Sequence, residues 1–186
     1  MPTNLELKAR LDARSNTLRL AKRICTHAGI LSHVDTYFRV KKGRLKLREF
    51  GRGNGELIYY ERNEGEGERW STYHIVPVKS PSMVKDLLAT AIGVREVVKK
   101  SRRVFFYKGA RIHIDSIKRL GYFIEIEVIL KRGRNEARAV FAEIVRLFNI
   151  PKSSIIDCSY VDLLERKSKK ALRHKKKASS THLTPG

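Results

Sequence analysis

The 186-residue chain has no apolar run long enough to cross a bilayer as a helix, and its N-terminus lacks the basic-then-apolar order of a secretory signal. Neither a membrane span nor secretion is expected. Only two cysteines are present, Cys25 and Cys158, and they have neither CxxC nor Cys/His zinc spacing. That excludes a disulfide framework and a conventional zinc site. They read as reduced thiols of a cytoplasmic or nuclear protein. From Arg166 onward the chain also lacks any acid, while carrying eight Lys/Arg.

Base is in excess elsewhere too. The formal net charge is +21, and the 165 residues before Arg166 hold 32 bases against 19 acids. The body itself is basic, so an anionic partner is expected: nucleic acid, an anionic membrane surface or a polyphosphate. Apolar residues make up 41% of the chain, enough for one domain with a sizeable core. The expected division is a folded domain over 1–165 and a basic, disordered tail over 166–186. The tail fits a solvated charge run, a nuclear localisation signal or a nucleic-acid contact.

Helical spacing of apolar residues predicts helices over Ser15–Ile30, Ser82–Ile92 and Asn135–Phe148. A fourth begins at Ser159 and decays near Lys176 into the charge run. Strands are expected at 3–9, 35–40, 44–50, 56–62, 71–78, 103–107, 111–117 and 122–130. The Gly-rich stretches GRGNG (51–55) and NEGEGE (63–68) read as hairpin loops, since neither has the spacing of a phosphate-cradling loop before a helix.

Within the strands the two-residue period separates charge from grease. Asn4, Glu6 and Lys8 lie opposite Leu5, Leu7 and Ala9. Arg44, Lys46 and Arg48 lie opposite Leu45 and Leu47; Arg111, His113 and Asp115 lie opposite Ile112 and Ile114. Glu125 and Glu127 lie opposite Ile124, Ile126 and Val128, and Arg62 shares a face with Ile58 and Tyr60. A two-layer protein with wet charged faces would show this alternation, but solvated faces usually mix signs. Here some strands offer only bases and one offers paired acids. Glu125 and Glu127 stand roughly 7 Å apart by strand rise. Their repulsion is about 2 kcal/mol at an effective dielectric near 20. In a concave site that calls for a cation. Closing eight antiparallel strands into a barrel would turn these faces inward, with acids for Mg²⁺ or Mn²⁺ and bases for a polyanion.

The motifs DTYF (35–38), GRLKLRE (43–49), ELIYYER (56–62), KSR (100–102), RIHID (111–115), LGYFIEIEV (120–128) and SYVDLL (159–164) follow one another in order. With the first strand, they make the chain resemble the CYTH superfamily, the triphosphate tunnel metalloenzymes. That family includes thiamine triphosphatases, inorganic triphosphatases and class IV adenylate cyclases, and the motifs are most similar to the cyclase-like branch. The resemblance implies an α+β fold: an eight-stranded antiparallel β-barrel, open as a tunnel, with helices packed outside. It implies Mg²⁺ or Mn²⁺ bound by Glu6, Glu125, Glu127 and Asp115. It also implies a triphosphate held by Lys8, Lys46, Arg48, Arg62, Lys100, Arg102 and Arg111. Lys8, Asp115 and Arg62 would act on the reacting groups. One departure stands out. The family's Glu-x-Glu-x-Lys has Asn4 in its first position here, so a neutral amide replaces one carboxylate and a second metal would be held weakly.

The leading expectation is hydrolysis of tripolyphosphate, thiamine triphosphate or a nucleoside triphosphate to diphosphate and phosphate. The alternatives are a cyclase making cyclic AMP from ATP and a non-catalytic binder of polyphosphate or RNA 5′-triphosphate ends. Ser71 and Tyr73 are expected as tunnel polar groups, His74 and His113 as structural or wall residues, and Trp70 as a loop anchor. His27 and His33 match no metal spacing.

Overall fold

The structure is a computed structural model that describes residues 3–12, 14–51, 53–62, 69–131 and 133–180. Eight strands form: β1 (Thr3–Arg10), β2 (Thr26–Phe38), β3 (Arg44–Glu49), β4 (Gly55–Arg62), β5 (Arg69–Val78), β6 (Val94–Tyr107), β7 (Ala110–Ile117) and β8 (Gly121–Ile129). Four helices accompany them: α1 (Arg14–Ile24), α2 (Pro81–Ile92), α3 (Arg134–Leu147) and α4 (Tyr160–Ser180). The sheet is a closed barrel in the order β1-β5-β4-β3-β2-β6-β7-β8. All eight pairings are antiparallel. The expected barrel with outer helices is therefore what the chain forms. Closure leaves no edge to template aggregation, and it forces every strand to present one face to the lumen.

The apolar faces point outward and are covered by helices. Leu5, Ala9, Ile112, Ile114, Ile124 and Ile126 cluster with Ala21 of α1 and with Ala137 and Ile144 of α3. A second cluster lies on the lumen side: Val98, Ile117 and Phe123, which share strand faces with Lys100, Asp115 and Glu125, pack with Tyr160, Val161 and Leu164 at the start of α4. Burying each large aliphatic side chain stabilises the fold by roughly 1.5–3 kcal/mol. The outer layer and this lumen-side cluster together supply the hydrophobic core.

Two helix ends are set by local chemistry. Pro81 opens α2, where its fixed φ and missing N–H do no harm. Gly93 ends it at φ 78°, a conformation costly for other residues, and its N–H donates to the Ala89 carbonyl at 3.1 Å. At the start of α4, Ser159 and Asp162 cap reciprocally. The Ser159 N–H donates to Asp162 Oδ2 at 2.9 Å, and the Asp162 N–H reaches Ser159 Oγ at 3.4 Å. The SYVD stretch thus fixes where α4 begins, which places Tyr160 at the barrel.

Three segments differ from expectation. The helix predicted to Ile30 stops at Ile24, and β2 begins at Thr26. Ala28 only coincidentally continued the helical stripe; it is exposed, and the register shift between His27 and Gly29 carries the strand onward. β6 starts at Val94 rather than 103 because charge on both of its faces hid the alternation. α4 runs on through the basic stretch to Ser180, while residues 181–186 and NEGEGE (63–68) lie outside the described residues. Cys25 and Cys158 are both free. No helix among the described residues is long and apolar enough to cross a membrane.

Asp162 also accepts from Arg44 (3.0 Å) and Arg95 (2.7 Å), tying α4 to β3 and β6. Burial opposes the charged form, but Ser159, Arg44 and Arg95 hold the carboxyl at about 2, below its ordinary 3.8. A depressed carboxylate pKa contributes stability that is present above pH 4 and is lost as pH falls through 2. Asp162→Asn should therefore lower the unfolding free energy at pH 7 by about 2 kcal/mol, with the deficit shrinking toward pH 2. Urea unfolding of both proteins across that range would check it.

Candidate functional site

A cavity of about 360 Å³ occupies the lumen, within the usual range for ligand sites. Strand alternation delivers its walls. Glu6, Lys8, Lys46, Arg48, Lys100, Arg102, Arg111, Glu125 and Glu127 all line it, together with Ser71 and Tyr73. The order of strands in the ring sets β3 diametrically opposite β8. The lumen is therefore polarised: Lys46 and Arg48 stand on one wall, Glu125 and Glu127 on the other.

On the basic wall one buried carboxylate gathers three cations. Asp35 is fully buried and accepts from Lys46 (3.2 Å), from Arg48 through two nitrogens (2.8 and 3.1 Å) and from Lys100 (3.0 Å). Burial alone would raise its pKa, but Lys100, Lys46 and Arg48 hold it well below the usual carboxylate range. The three cations in turn share one counter-charge. Burial, with Arg48 alongside, pushes the Lys46 ammonium down to about 7, and Asp35 offsets only part of this. Burial lowers Lys100 as well. This wall is short of negative charge.

On the acidic wall the carboxylates are held by bases from neighbouring strands. Glu125 pairs with Lys8 at 2.9 Å and with Arg102. Burial favours its neutral form, yet Lys8 and Arg102 hold the carboxyl well below the ordinary range. Arg111 pairs with Glu127 at 2.8 Å. Glu6 lies directly across from Glu127 in the β1–β8 register, which brings a third carboxylate to this wall. Next to them, His113 Nδ1 is buried and makes no hydrogen bond to the described residues. It stands 3.5 Å from Glu127 Oε1 and 3.8 Å from Glu125 Oε2. Ligand atoms of His113, Glu125 and Glu127 all fall within 4.8 Å of one another. An orphaned buried nitrogen facing two carboxylates fits a divalent cation.

One expected site residue, Asp115, stands apart from this cluster. Asp115 is fully buried, gripped by Arg102 through two nitrogens (2.7 and 2.6 Å) and by the Tyr160 hydroxyl (3.1 Å). Its carboxylate faces Arg102 rather than the cavity, and Arg102 links it to Glu125. Arg62 lies in β4 opposite Ser71; its side chain is outside the described residues. Asn4, expected as a weak neutral metal ligand, is engaged otherwise. Turned to suit its neighbours, its amide oxygen accepts from Tyr73 (3.1 Å) and Arg111 (3.3 Å). A neutral residue here holds Arg111 in place. Trp70 packs against the outer core beneath Arg134, 5.2 Å from its ring centre.

Sequence reasoning missed Asp35 as a site residue and gave His113 only a structural or wall role. DTYF was read as a motif, but Asp35 shows no charged alternation on its own strand, and its partners come from β3 and β6. His113 was on the correct face; its isolation from hydrogen-bond partners is a property of the folded barrel.

The CYTH domain family model matches residues 2–158. The chain belongs to the CYTH domain family. No curated protein matches the chain. Among solved structures, PH1012 from Pyrococcus horikoshii OT3 superposes with TM-score 0.77 at 20% identity, over 86% of this chain and 98% of that one. A proposed adenylate cyclase from Vibrio parahaemolyticus gives 0.69 at 18% identity, over 87% and 97%. HpAC1 from Hippeastrum, a proposed adenylyl cyclase described as having dominant triphosphatase activity, gives 0.65 at 12% identity, over 90% and 96%. At such identities the likeness shows the fold, and this CYTH chain shares it.

Asp35→Asn removes the charge that Lys46, Arg48 and Lys100 share. It should lower unfolding free energy by about 3–5 kcal/mol, the usual cost of stranding buried charge. Urea unfolding at pH 7 measures this; a change under about 1 kcal/mol would show that the three cations are accommodated without Asp35.

Proposed function

We propose that the lumen binds a triphosphate together with Mg²⁺ or Mn²⁺ and hydrolyses it to diphosphate and phosphate. The observation that carries this reading is the polarised lumen: an under-neutralised basic wall faces a carboxylate pair beside an unpartnered imidazole nitrogen. A chain of phosphates with a divalent cation is the ligand whose charges complement both walls. The triphosphatase activity described for HpAC1 supports hydrolysis over cyclisation.

Glu125, Glu127 and His113, with Glu6 across the register, would hold the cation. When bound, it supplies a Lewis acid that polarises a phosphoryl oxygen. Lys46, Arg48 and Lys100 would bind phosphate oxygens, exchanging part of their shared hold on Asp35 for a full anionic partner. The negative charge of the substrate would draw Lys46 back toward its protonated form. Lys8 and Arg111, now paired with Glu125 and Glu127, would turn to the phosphates where those carboxylates serve as metal ligands. Arg102 would stay fixed by Asp115 and Tyr160 and stabilise charge developing on the transferred group. Asp115 acts here as a positioning residue. Arg62 is proposed as a further phosphate contact.

The test is direct. Purified protein is incubated with tripolyphosphate, thiamine triphosphate, ATP and GTP, each with Mg²⁺ or Mn²⁺, and all products are identified. Phosphate and diphosphate products support the proposal; cyclic AMP from ATP would replace it with cyclisation, and binding without turnover would leave a binding module. Glu127→Gln should weaken Mn²⁺ binding by about tenfold, roughly 1.4 kcal/mol, and should also lower the melting temperature of the metal-free protein, because it removes the counter-charge of Arg111. Metal titration by calorimetry, with melts, would check both.

A further inference from the structure

His33 enters the lumen from β2, directly opposite Lys100 on β6 and two residues before Asp35. Its side chain is 5% exposed, and neither ring nitrogen has a hydrogen-bond partner among the described residues. Buried polar groups almost always find partners, so this ring calls for a physical reason.

Its surroundings supply one. Lys100, Arg48 and Arg102 act on the ring, and the nearby Asp35 carboxylate is occupied by Lys46, Arg48 and Lys100. Ammonium and guanidinium groups donate hydrogen bonds and accept none. An imidazole N–H in this corner is therefore surrounded by other donors. Burial first, then Lys100 and Arg48, push the ring down to about 2 against the opposing pull of Asp35. At neutral pH it carries one N–H and one lone pair and no charge. Phe50 meets the ring edge-on at 6.1 Å.

We propose that His33 is a phosphate ligand of the tunnel, its N–H donating to an oxygen of the polyphosphate chain between Lys100 and Arg48. An oxyanion is what this corner lacks. It accepts from His33, Lys100 and Arg48 at once. A neutral donor adds a directed hydrogen bond without adding a fourth cation to a wall already short of counter-charge. The ring thus extends the basic wall where another lysine would cost stability in the unliganded barrel. The assignment rests on the triphosphate reading above.

Calorimetric titration with tripolyphosphate, alongside urea unfolding, separates this role from packing. His33→Phe keeps a ring and removes both nitrogens. It should bind tripolyphosphate about fivefold or more weakly than wild type, at equal or greater stability, because the unpaired nitrogens are gone. Wild-type affinity in His33→Phe would overturn the assignment while leaving the tunnel reading intact. If the wild type fails to bind tripolyphosphate, both fall. Should His33→Phe not fold, the wild-type ring decides the matter through ¹⁵N resonances assigned with His33→Gln. Addition of tripolyphosphate should move the His33 nitrogen signals to hydrogen-bonded values, and an unmoved ring would overturn the proposal.

Discussion

Charge inside a closed barrel must find counter-charge inside the same barrel. Here the constraint falls on Asp35, whose one carboxylate restrains Lys46, Arg48 and Lys100. Removing three cations from water is costly, and a single shared anion offsets that cost only in part. The lowered pKa of Lys46 is the sign of the shortfall. The folded state therefore holds positive charge in tension on one wall. The outer layers, with Leu5, Ile112, Ile124 and Ile144 fully or almost fully buried, supply the stability that sustains it.

The opposite wall solves the same problem in mirror image. Glu125 and Glu127 are paired with Lys8 and Arg111 from the adjacent strands β1 and β7, and Glu125 also with Arg102, which reaches past β7 from β6. These pairs neutralise the acids of this wall and are arranged so that a cation could compete for the acids and a polyanion for the bases. Arg102 sits between the two roles. Asp115 locks it from behind, the Tyr160 hydroxyl in turn holds Asp115, and Tyr160 is in place because Ser159 and Asp162 fix the first turn of α4. A capping box on an outer helix is thereby connected to the orientation of a guanidinium in the lumen.

The barrel was legible in the sequence because its strands carry opposite chemistries on their two faces. Leu5 against Glu6 and Ile126 against Glu127 state the inside and outside without any structure. The first half of β2 was not legible. Its residues 26–32 are mostly exposed on both faces, so no burial pattern marked it. The acidic and basic walls were visible as strand-by-strand segregation of sign, yet their arrangement across the ring depends on strand order, which no single segment encodes. Asp35 illustrates the limit: its importance lies entirely in partners on other strands. Asp115 shows a related limit. Its strand face was read correctly, but the guanidinium that closes over it comes from β6.

The claim that the two walls jointly accept a metal–polyphosphate complex is tested most directly by thermal melting of the wild-type chain. Melts are recorded with Mn²⁺ alone, tripolyphosphate alone, both together, and Mn²⁺ with monophosphate. Ligands that bind the folded state raise its stability by mass action. The account predicts that Mn²⁺ and tripolyphosphate together raise the melting temperature by more than the sum of their separate effects, and that monophosphate does not replace tripolyphosphate. Equal stabilisation by monophosphate, or strictly additive shifts, would contradict it.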